Sequence, residues 1–352
     1  MNKYQIYEIA GEHNHAGTKA TKDFSEIAKK MGYEILPLSM RTAQKGNIAK
    51  LQRQLGFFID WNKIYSSVKE KSVILLQQPF HYPQLTRENI LWQLKEKKNV
   101  KYISIVHDVE ALRKFQYNDY YKHEFETMLK IADIIIVHNQ KMAQYFMEQG
   151  IPENRLVVLK IFDYLQKKEN PLCPKFEKKI TVAGNLDVEK CGYIAELTKL
   201  TNIEVDLYGP NFDERMKDCS HIHYKGSYPA DEIPEKLTAG FGLVWDGNSL
   251  NGCTGESGQY LRYNNPHKLS LYLSSGIPVV IWSKAAEADF VKENNVGICV
   301  DSLFDLQTCF ENLSEKDYNL MVHHVHKVSI LLREGAYGIH ALQNAEILLG
   351  SI

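Results

Sequence analysis

The 352-residue chain lacks several features that would assign it to a specialised class of protein. Its six cysteines include no C-x-x-C pair, which argues against a zinc knuckle or a small disulfide framework. Its 42 Lys and Arg residues against 43 Asp and Glu residues leave a net charge of -1, so no overall field holds the chain on nucleic acid or anionic lipid. Any anion site must therefore be local.

Long apolar runs are also missing. No stretch approaches the roughly 18 apolar residues of a membrane span, and Glu8 and Glu12 lie where a secretory signal needs an apolar segment. We therefore expect a cytoplasmic protein with free thiols.

One basic segment leaves a peripheral membrane contact open, although a solvated helix face followed by core residues is the favoured interpretation. It consists of Arg41, Lys45, Lys50, Arg53, Leu55, Phe57, Phe58 and Trp61.

Common catalytic motifs are absent as well. The chain has no G-x-G-x-x-G after its first strand, no G-x-x-x-x-G-K-[ST] and no G-x-S-x-G, so nicotinamide redox chemistry, P-loop hydrolysis and α/β-hydrolase chemistry lose support. No D-x-D pair is available to hold a divalent cation against a diphosphate. If a diphosphate binds, protein groups must neutralise it, and we expect neither a metal nor another cofactor.

Short apolar runs alternate with segments of helical period, which predicts parallel sheets with helical crossovers. The first series of predicted strands is Gln5 to Ala10, Ile35 to Leu38, Val73 to Leu76, Tyr102 to Val106 and Ile134 to Val137. Helices are predicted over Lys22 to Met31 and Phe125 to Ile131.

A charged segment with two prolines, residues 166–175, predicts an interdomain linker. The second series of predicted strands is Ile180 to Ala183, Ile203 to Tyr208, Phe241 to Trp245, Val279 to Trp282 and Gly297 to Val300. Two α/β domains are predicted, over residues 1–165 and 176–330. The last helix, within residues 331–352, has no following strand and could pack back on the first domain.

Polar residues follow the predicted strand that ends at Val106. Ligands of open α/β sheets bind beyond the carboxyl ends of strands, so Asp108 is a candidate general base facing a cleft. Helix capping with a loop salt bridge is the alternative.

Two helix starts are candidate anion sites. Pro266 suits a first helical turn, and the free N–H groups there with Lys268 could bind a phosphate. In the first βα turn, Gly17 and Lys19 could do the same, whereas His13 and His15 are too few for a metal site. At the Pro266 helix start, an ordinary loop, cap and core helix with a solvated lysine is the alternative.

The segment from Trp245 to Gly258 holds four glycines and predicts a long mobile loop. Because an aromatic next to a carboxylate often holds a sugar, Trp245 and Asp246 are candidate substrate contacts. A plain surface turn is the alternative.

Several stretches resemble the bacterial galactofuranosyltransferases of surface-polysaccharide synthesis, which are related to glucosyltransferases of serine-rich adhesins. The resemblance covers most of the chain and implies the GT-B fold, two Rossmann-like domains facing a cleft. The stretches are residues 241–247, 260–268, 270–273, 277–278, 159–165 and 183–186, with His107-Asp108, Ala16-Gly17 and Lys19-Ala20.

The resemblance implies roles for named positions. Asn265 and Lys268 would hold the diphosphate, and Gly17 would close over it. His107 and Tyr263 join the substrate contacts. The uridine contacts implied at strand ends of the second domain are Gly184, Asn185, Tyr208, Gly209, Gly226, Ser227 and Tyr228.

Tyr263 and Leu271 occupy the positions of the two glutamates in the Glu-x7-Glu signature of retaining GT-B families, which makes inversion more plausible. We therefore expect a UDP-galactofuranose-dependent transferase that acts on a saccharide acceptor, expected to be lipid-linked. The alternatives are a UDP-glucose-dependent enzyme and a GT-B-shaped partner subunit without catalysis. A homo-oligomer is plausible.

Overall fold

The computed structural model describes residues 1–9, 17–42, 44–114, 117–166 and 174–351. The strands are β1 (Lys3–Ile9), β2 (Glu34–Ser39), β3 (Val73–Gln78), β4 (Lys101–Val106), β5 (Ile134–Val137), β6 (Leu156–Val158), β7 (Lys175–Ala183), β8 (Glu204–Tyr208), β9 (Ile222–Tyr224), β10 (Ala239–Val244), β11 (Val279–Trp282) and β12 (Gly297–Val300).

Helices connect most of these strands. The α-helices are α1 (Gly17–Lys30), α2 (Asn47–Ser67), α3 (Arg87–Lys98), α4 (Glu110–Arg113), α5 (Asp119–Ile131), α6 (Gln140–Glu148), α7 (Tyr193–Glu196), α8 (Gly255–Tyr260), α9 (His267–Ser274), α10 (Ala288–Asn294), α11 (Leu306–Asn312), α12 (Glu315–Glu334) and α13 (Ala336–Gly350). Short 3-10 helices lie at Glu153–Arg155, Leu197–Lys199, Glu214–Asp218, Ile233–Lys236 and Leu303–Asp305.

Two parallel six-stranded sheets form the two domains. The first has the order β2-β1-β3-β4-β5-β6 and the second the order β12-β11-β10-β7-β8-β9. Helices cover both faces, so central strands such as β5, with the sequence Ile-Ile-Ile-Val, are buried throughout. In the second sheet, the chain passes from β7 to β8 on one side and returns to β10 on the other. The carboxyl ends of β7 and β10 therefore flank a switch point, where open α/β sheets bind ligands.

The carboxyl-terminal helices link the two domains. Helix α12 packs on α9 of the second domain, and α13 packs on α1, β5 and β6 of the first. The chain turns between them at Gly335, whose φ of 84° favours glycine. Asp163 caps α13, because its carboxylate accepts hydrogen bonds from Tyr337 N (3.2 Å) and Gly338 N (2.6 Å). The carboxyl-terminal chain thus braces the first domain, and the division predicted at residue 331 falls inside α12.

The sheets confirm the predicted α/β class. Each predicted strand is present within a few residues, but two three-residue edge strands, β6 and β9, were not predicted because such short runs carry no clear period. The prediction that Trp245 to Gly258 is one long loop is wrong in part, since α8 begins at Gly255. None of the described helices is both long and apolar enough to cross a bilayer.

Candidate functional site

The carboxyl end of β4 places an acid between the domains. Asp108 lies two residues after the strand, and its Oδ2 is 2.9 Å from Arg113 Nη1. The same nitrogen is 3.1 Å from Glu110 Oε1, so one guanidinium holds two carboxylates. Because the Asp108 side chain keeps 29% exposure, a substrate hydroxyl can reach it.

A tyrosine from the second domain completes the surroundings of this acid. Tyr260 ends α8 and is buried, and its hydroxyl donates to Asp108 Oδ1 (3.2 Å) while it accepts from Val109 N (3.0 Å). Burial raises the pKa of Asp108 to about 6, although the Arg113 charge and the Tyr260 hydrogen bond lower it and Glu110 raises it. The carboxylate is therefore mostly ionised at neutral pH, with a pKa that suits a general base.

His107 lies beside Asp108 and is half-buried. Its Nε2 donates to Gln77 Oε1 (2.7 Å), and its ring stacks on Phe162 with centroids 5.4 Å apart. Burial lowers the pKa of His107 to about 3, and three neighbouring histidines lower it further. His107 is thus a neutral group at the cleft, which leaves its predicted contact with sugar a prediction.

Asn265 joins the domains and does not present its side chain to a diphosphate. Its Nδ2 donates to His138 O (2.9 Å) and Lys160 O (3.0 Å), and its Oδ1 accepts from Asn139 Nδ2 (2.8 Å). Its backbone N donates to His138 Nδ1 (3.0 Å). Both side-chain donors are therefore committed, and the predicted phosphate contact of this side chain is wrong for this arrangement. Tyr263 also lies at the interface, where its carbonyl accepts from Asn139 Nδ2 (2.9 Å).

The two lysines predicted to bind phosphate have opposite surroundings. Lys19 Nζ is buried, 2.7 Å from Asp23 Oδ1, 3.1 Å from Asp231 Oδ1 and 2.8 Å from Leu165 O. It also lies over the Tyr164 ring, 4.9 Å from the centroid. These partners neutralise the charge of Lys19, and the Asp231 contact links the two domains, so its phosphate contact stays a prediction.

Gly17 begins α1, and residues 10–16 before it, with His13 and His15, lie outside the described residues. Within the described ranges, no group of three or more His, Cys, Asp and Glu side chains is arranged to hold a metal.

Lys268 lies at the switch point of the second sheet. Its Nζ is 3.5 Å from Trp245 O after β10, and a methyl group added to Gly184 after β7 would be 3.4 Å from its Cε. Burial alone lowers the pKa of Lys268, but the Asp246 carboxylate and nearby groups keep it above its ordinary value. Among the described residues, no carboxylate forms an ion pair with it. Lys268 is therefore a charged, half-buried group at the end of β10, beside the glycine turn that follows β7.

Three glycines line the same edge, one after each of β7, β8 and β9. A Cβ at Gly209 would lie 1.7 Å from Gly184 O, and both residues have strongly positive φ, 147° and 152°. Gly209 N donates to Gly226 O (2.9 Å), which ties adjacent turns together. Only glycine fits at Gly209, and the turns leave backbone rather than side chain facing a ligand.

The outer part of this edge is more open. Asn185 is exposed and accepts from Asn211 Nδ2 (2.8 Å), and Ser227 is exposed. The rings of Tyr208 and Tyr228 lie 6.3 Å apart. The structure brings these four predicted uridine contacts to one edge with the glycines, and their contact with uridine stays a prediction.

The Trp245 ring is not accessible for stacking on a sugar. It is 1% exposed, and its Nε1 donates to Ser249 O (2.9 Å) inside the core of the second domain. The prediction that its ring contacts substrate is wrong, because the ring faces inward at the end of β10. Asp246 beside it is half-buried and accepts from Gly247 N (2.8 Å).

Three residues of the site were missed from the sequence. His138 and Asn139 follow β5 as His107 and Asp108 follow β4, so the rule that polar residues after strands face the cleft would have found them. Tyr260 lies in a quoted family stretch, but its partner is 152 residues away, a distance that no local pattern spans.

The chain is similar to known proteins in family, sequence and structure. Two models of a glucosyltransferase 3-like family match, the N-terminal domain over residues 3–161 and the C-terminal domain over residues 180–345. The β-1,6-galactofuranosyltransferase WbbI of Escherichia coli (strain K12) is 28% identical over 339 residues, 95% of each chain. Glucosyltransferase 3 of Streptococcus gordonii is 27% identical over 347 residues, 98% of each chain.

Solved structures support the fold. HepE of Anabaena in complex with UDP-glucose aligns with a TM-score of 0.61 at 11% identity, over 99% of this chain and 100% of that chain. The apo form of the lipopolysaccharide outer core galactosyltransferase WaaB aligns with a TM-score of 0.59 at 11% identity, over 99% of each chain. The architecture is therefore GT-B, as predicted.

Proposed function

The chain belongs to the glucosyltransferase 3-like family, and we propose that this UDP-sugar-dependent glycosyltransferase moves galactofuranose from UDP-galactofuranose to a saccharide acceptor of cell-surface polysaccharide. The galactofuranose part is supported by WbbI, the galactofuranosyltransferase related over 95% of the chain. The glucosyltransferase 3 relatives support UDP-glucose as the second candidate donor.

The observation that carries the proposal is the position of Lys268. It lies beside the carboxyl ends of the neighbouring strands β7 and β10, next to the turn at Gly184. It forms no ion pair with a carboxylate among the described residues. A cation that forms no ion pair with a described carboxylate, at a switch point of the sheet, suits the diphosphate of a nucleotide sugar. The glycine turns after β8 and β9 extend the edge toward the proposed uridine site.

Asp108 supplies the proposed chemistry at the opposite edge. Its carboxylate accepts the proton of an acceptor hydroxyl while that oxygen attacks the anomeric carbon, a step worth roughly 10²–10⁴-fold. The bond from the anomeric carbon to the diphosphate oxygen breaks, and UDP leaves with that electron pair. Lys268 stabilises the negative charge that grows on the leaving group. A single displacement of this kind inverts the anomeric configuration.

Metal independence is part of the proposal, because the Lys268 ammonium takes the place of a divalent cation. Assays with EDTA should retain the rate measured without it. Activity that disappears with EDTA and returns with Mg²⁺ or Mn²⁺ would contradict this part.

The donor is tested by incubating the enzyme with UDP-galactofuranose or UDP-glucose and a saccharide acceptor, followed by NMR of the product. We expect a β-galactofuranosyl product from the first donor, with the anomeric configuration opposite to that of the donor. Faster transfer from UDP-glucose would show that glucose, and not galactofuranose, is the donor sugar. Retention of the anomeric configuration would exclude direct displacement.

A further inference from the structure

Glu8 is a carboxylate at the edge of the cleft that the proposed chemistry does not use. It is the second-last residue of β1 and is half-buried. Its Oε1 accepts a hydrogen bond from Gln84 Nε2 (2.5 Å), and Gln84 is held in turn because its Oε1 accepts from Trp61 Nε1 (2.7 Å). The backbone N–H of His81 also donates to Glu8. Since a carboxylate has about four acceptor positions, these two partners fix the side chain without using all of them.

Glu8 and the proposed general base lie at the same edge of the first sheet. Strand β3 lies between β1 and β4, so the ends of β1 and β4 are two strand spacings apart, about 10 Å. His81, which follows β3, lies between Glu8 and the set of charges around Asp108. Burial lowers the pKa of His81, the Arg113 charge lowers it further, and Glu110 raises it. A monosaccharide that forms hydrogen bonds at both ends spans such a gap.

Gln78 is an independent sign of a ligand at this place. It ends β3 and is 5% exposed, and its Oε1 has no hydrogen-bond partner among the described residues. The register pairs Tyr4 of β1 with Ile74 of β3, and side chains alternate along each strand, so Glu8 and Gln78 lie on the same face of the sheet. A buried amide oxygen without a donor costs free energy. A hydroxyl group of a bound saccharide, or a water beside it, is such a donor.

The charges at this edge favour a neutral sugar. The two nearby arginines already have partners, since Arg87 pairs with Glu124 and Arg113 holds two carboxylates. Glu8 adds one more acid to this edge. Burial raises the pKa of Glu8 to about 7, while the Arg87 charge and the two hydrogen-bond donors lower it and Glu124 raises it. An acidic sugar would place its carboxylate among these acids, where like charges repel.

We propose that Glu8 binds hydroxyl groups of the saccharide acceptor and selects a neutral sugar over an acidic one. The Glu8 carboxylate accepts a hydrogen bond from one hydroxyl of the acceptor ring, while Asp108 receives the proton of the attacking hydroxyl. A uronic acid would bring its carboxylate against both groups. The inference rests on the proposed function only in that the acceptor is a saccharide, and it is independent of the donor sugar.

The test measures acceptor binding and sugar transfer separately. NMR titration of the full chain gives the affinity for p-nitrophenyl glycosides of neutral hexoses and for p-nitrophenyl glucuronide. Transfer assays give the acceptor KM with whichever UDP-sugar is turned over. We expect the parent chain to bind the neutral glycosides and to bind the glucuronide at least roughly 10-fold more weakly.

Glu8→Gln keeps the shape of the side chain and removes its charge. The affinity for the neutral glycosides should fall roughly 10-fold or more, the acceptor KM should rise to match, and the discrimination against the glucuronide should shrink. UDP affinity and the unfolding temperature should stay near those of the parent chain. The matched control is Glu34→Gln, because Glu34 is exposed and begins β2 at the opposite edge of the same sheet. This control should behave like the parent chain in every assay.

Three results would overturn the proposal: a parent chain that binds no neutral glycoside or binds the glucuronide equally well, unchanged acceptor affinity in Glu8→Gln, or equal losses in Glu8→Gln and Glu34→Gln. Loss of UDP affinity together with acceptor affinity in Glu8→Gln would assign Glu8 a structural role and would also overturn it. If no UDP-sugar is turned over, the proposed function fails, while the NMR titration still decides the role of Glu8.

Discussion

The two edges of the cleft use charge in opposite ways. On the first domain the charged side chains are paired with one another, as in the Asp108, Glu110 and Arg113 set and the Lys19, Asp23 set. On the second domain the edge consists of glycine turns and Lys268, which has no carboxylate partner among the described residues. A paired network fixes the position and pKa of a base, whereas an unpaired cation is ready for an anionic ligand. From this difference we propose that catalysis takes place at the first edge and donor binding at the second.

The largest effect should come from the base. Asp108→Asn keeps the side-chain shape but removes the proton acceptor, so turnover should fall roughly 10²–10⁴-fold. UDP affinity should change little because the proposed UDP site lies at the other edge. Initial rates and calorimetric titration of UDP measure the two effects. Turnover near that of the parent enzyme would show that Asp108 is not the general base.

Lys19→Met should act on stability. It leaves buried Asp23 without its cation, which costs about 3 kcal/mol at neutral pH. Burial already raises the pKa of Asp23, and loss of the Lys19 charge raises it further. The cost therefore shrinks as the pH falls and Asp23 takes up a proton. Thermal unfolding at two pH values checks this, and a weakened UDP affinity with unchanged stability would contradict the comparison.

Lys268→Met should act on binding. Loss of the charge-assisted contact should weaken UDP binding roughly 10- to 100-fold, which corresponds to about 1.5–3 kcal/mol. Since Lys268 has no carboxylate partner among the described residues, the variant should unfold near the parent temperature. Calorimetric titration measures the UDP affinity of the variant, and thermal unfolding measures its stability. Unchanged UDP affinity would place the diphosphate elsewhere.

The smallest effect should come from the hydrogen bond between Tyr260 and Asp108, which joins the two edges of the cleft. Tyr260→Phe removes a hydrogen bond that favours the ionised form of Asp108, so the pKa of Asp108 should rise above about 6. The base is active when deprotonated, so the rate falls as the pH drops through this pKa, and in the variant that fall should begin at a higher pH.

The pH profile of kcat/KM measures the shift caused by Tyr260→Phe. Tyr263→Phe is the matched control, because its ring lies at the same interface and its hydroxyl does not contact Asp108. Equal shifts in both variants would show a general effect of the interface.

The sequence predicted most of the fold and part of the site. Periodicity predicted the buried strands such as β5, the rule for strand ends predicted Asp108 at the cleft, and the helix start after Pro266 predicted Lys268. It could not separate Lys19 from Lys268, because both lie near helix starts and the partner Asp231 of Lys19 is far away in the chain. It misplaced Trp245 for a related reason, since the direction of a ring at a strand end depends on the packing of the whole domain.

The central claim is that the donor diphosphate lies on Lys268 with its sugar turned toward Asp108. A crystal structure of the Asp108→Asn variant with intact UDP-galactofuranose tests it directly. We predict a diphosphate oxygen within ion-pair distance of Lys268 Nζ, uridine along the glycine turns, and the anomeric carbon facing residue 108. Nucleotide bound away from Lys268, or a sugar directed away from residue 108, would contradict it.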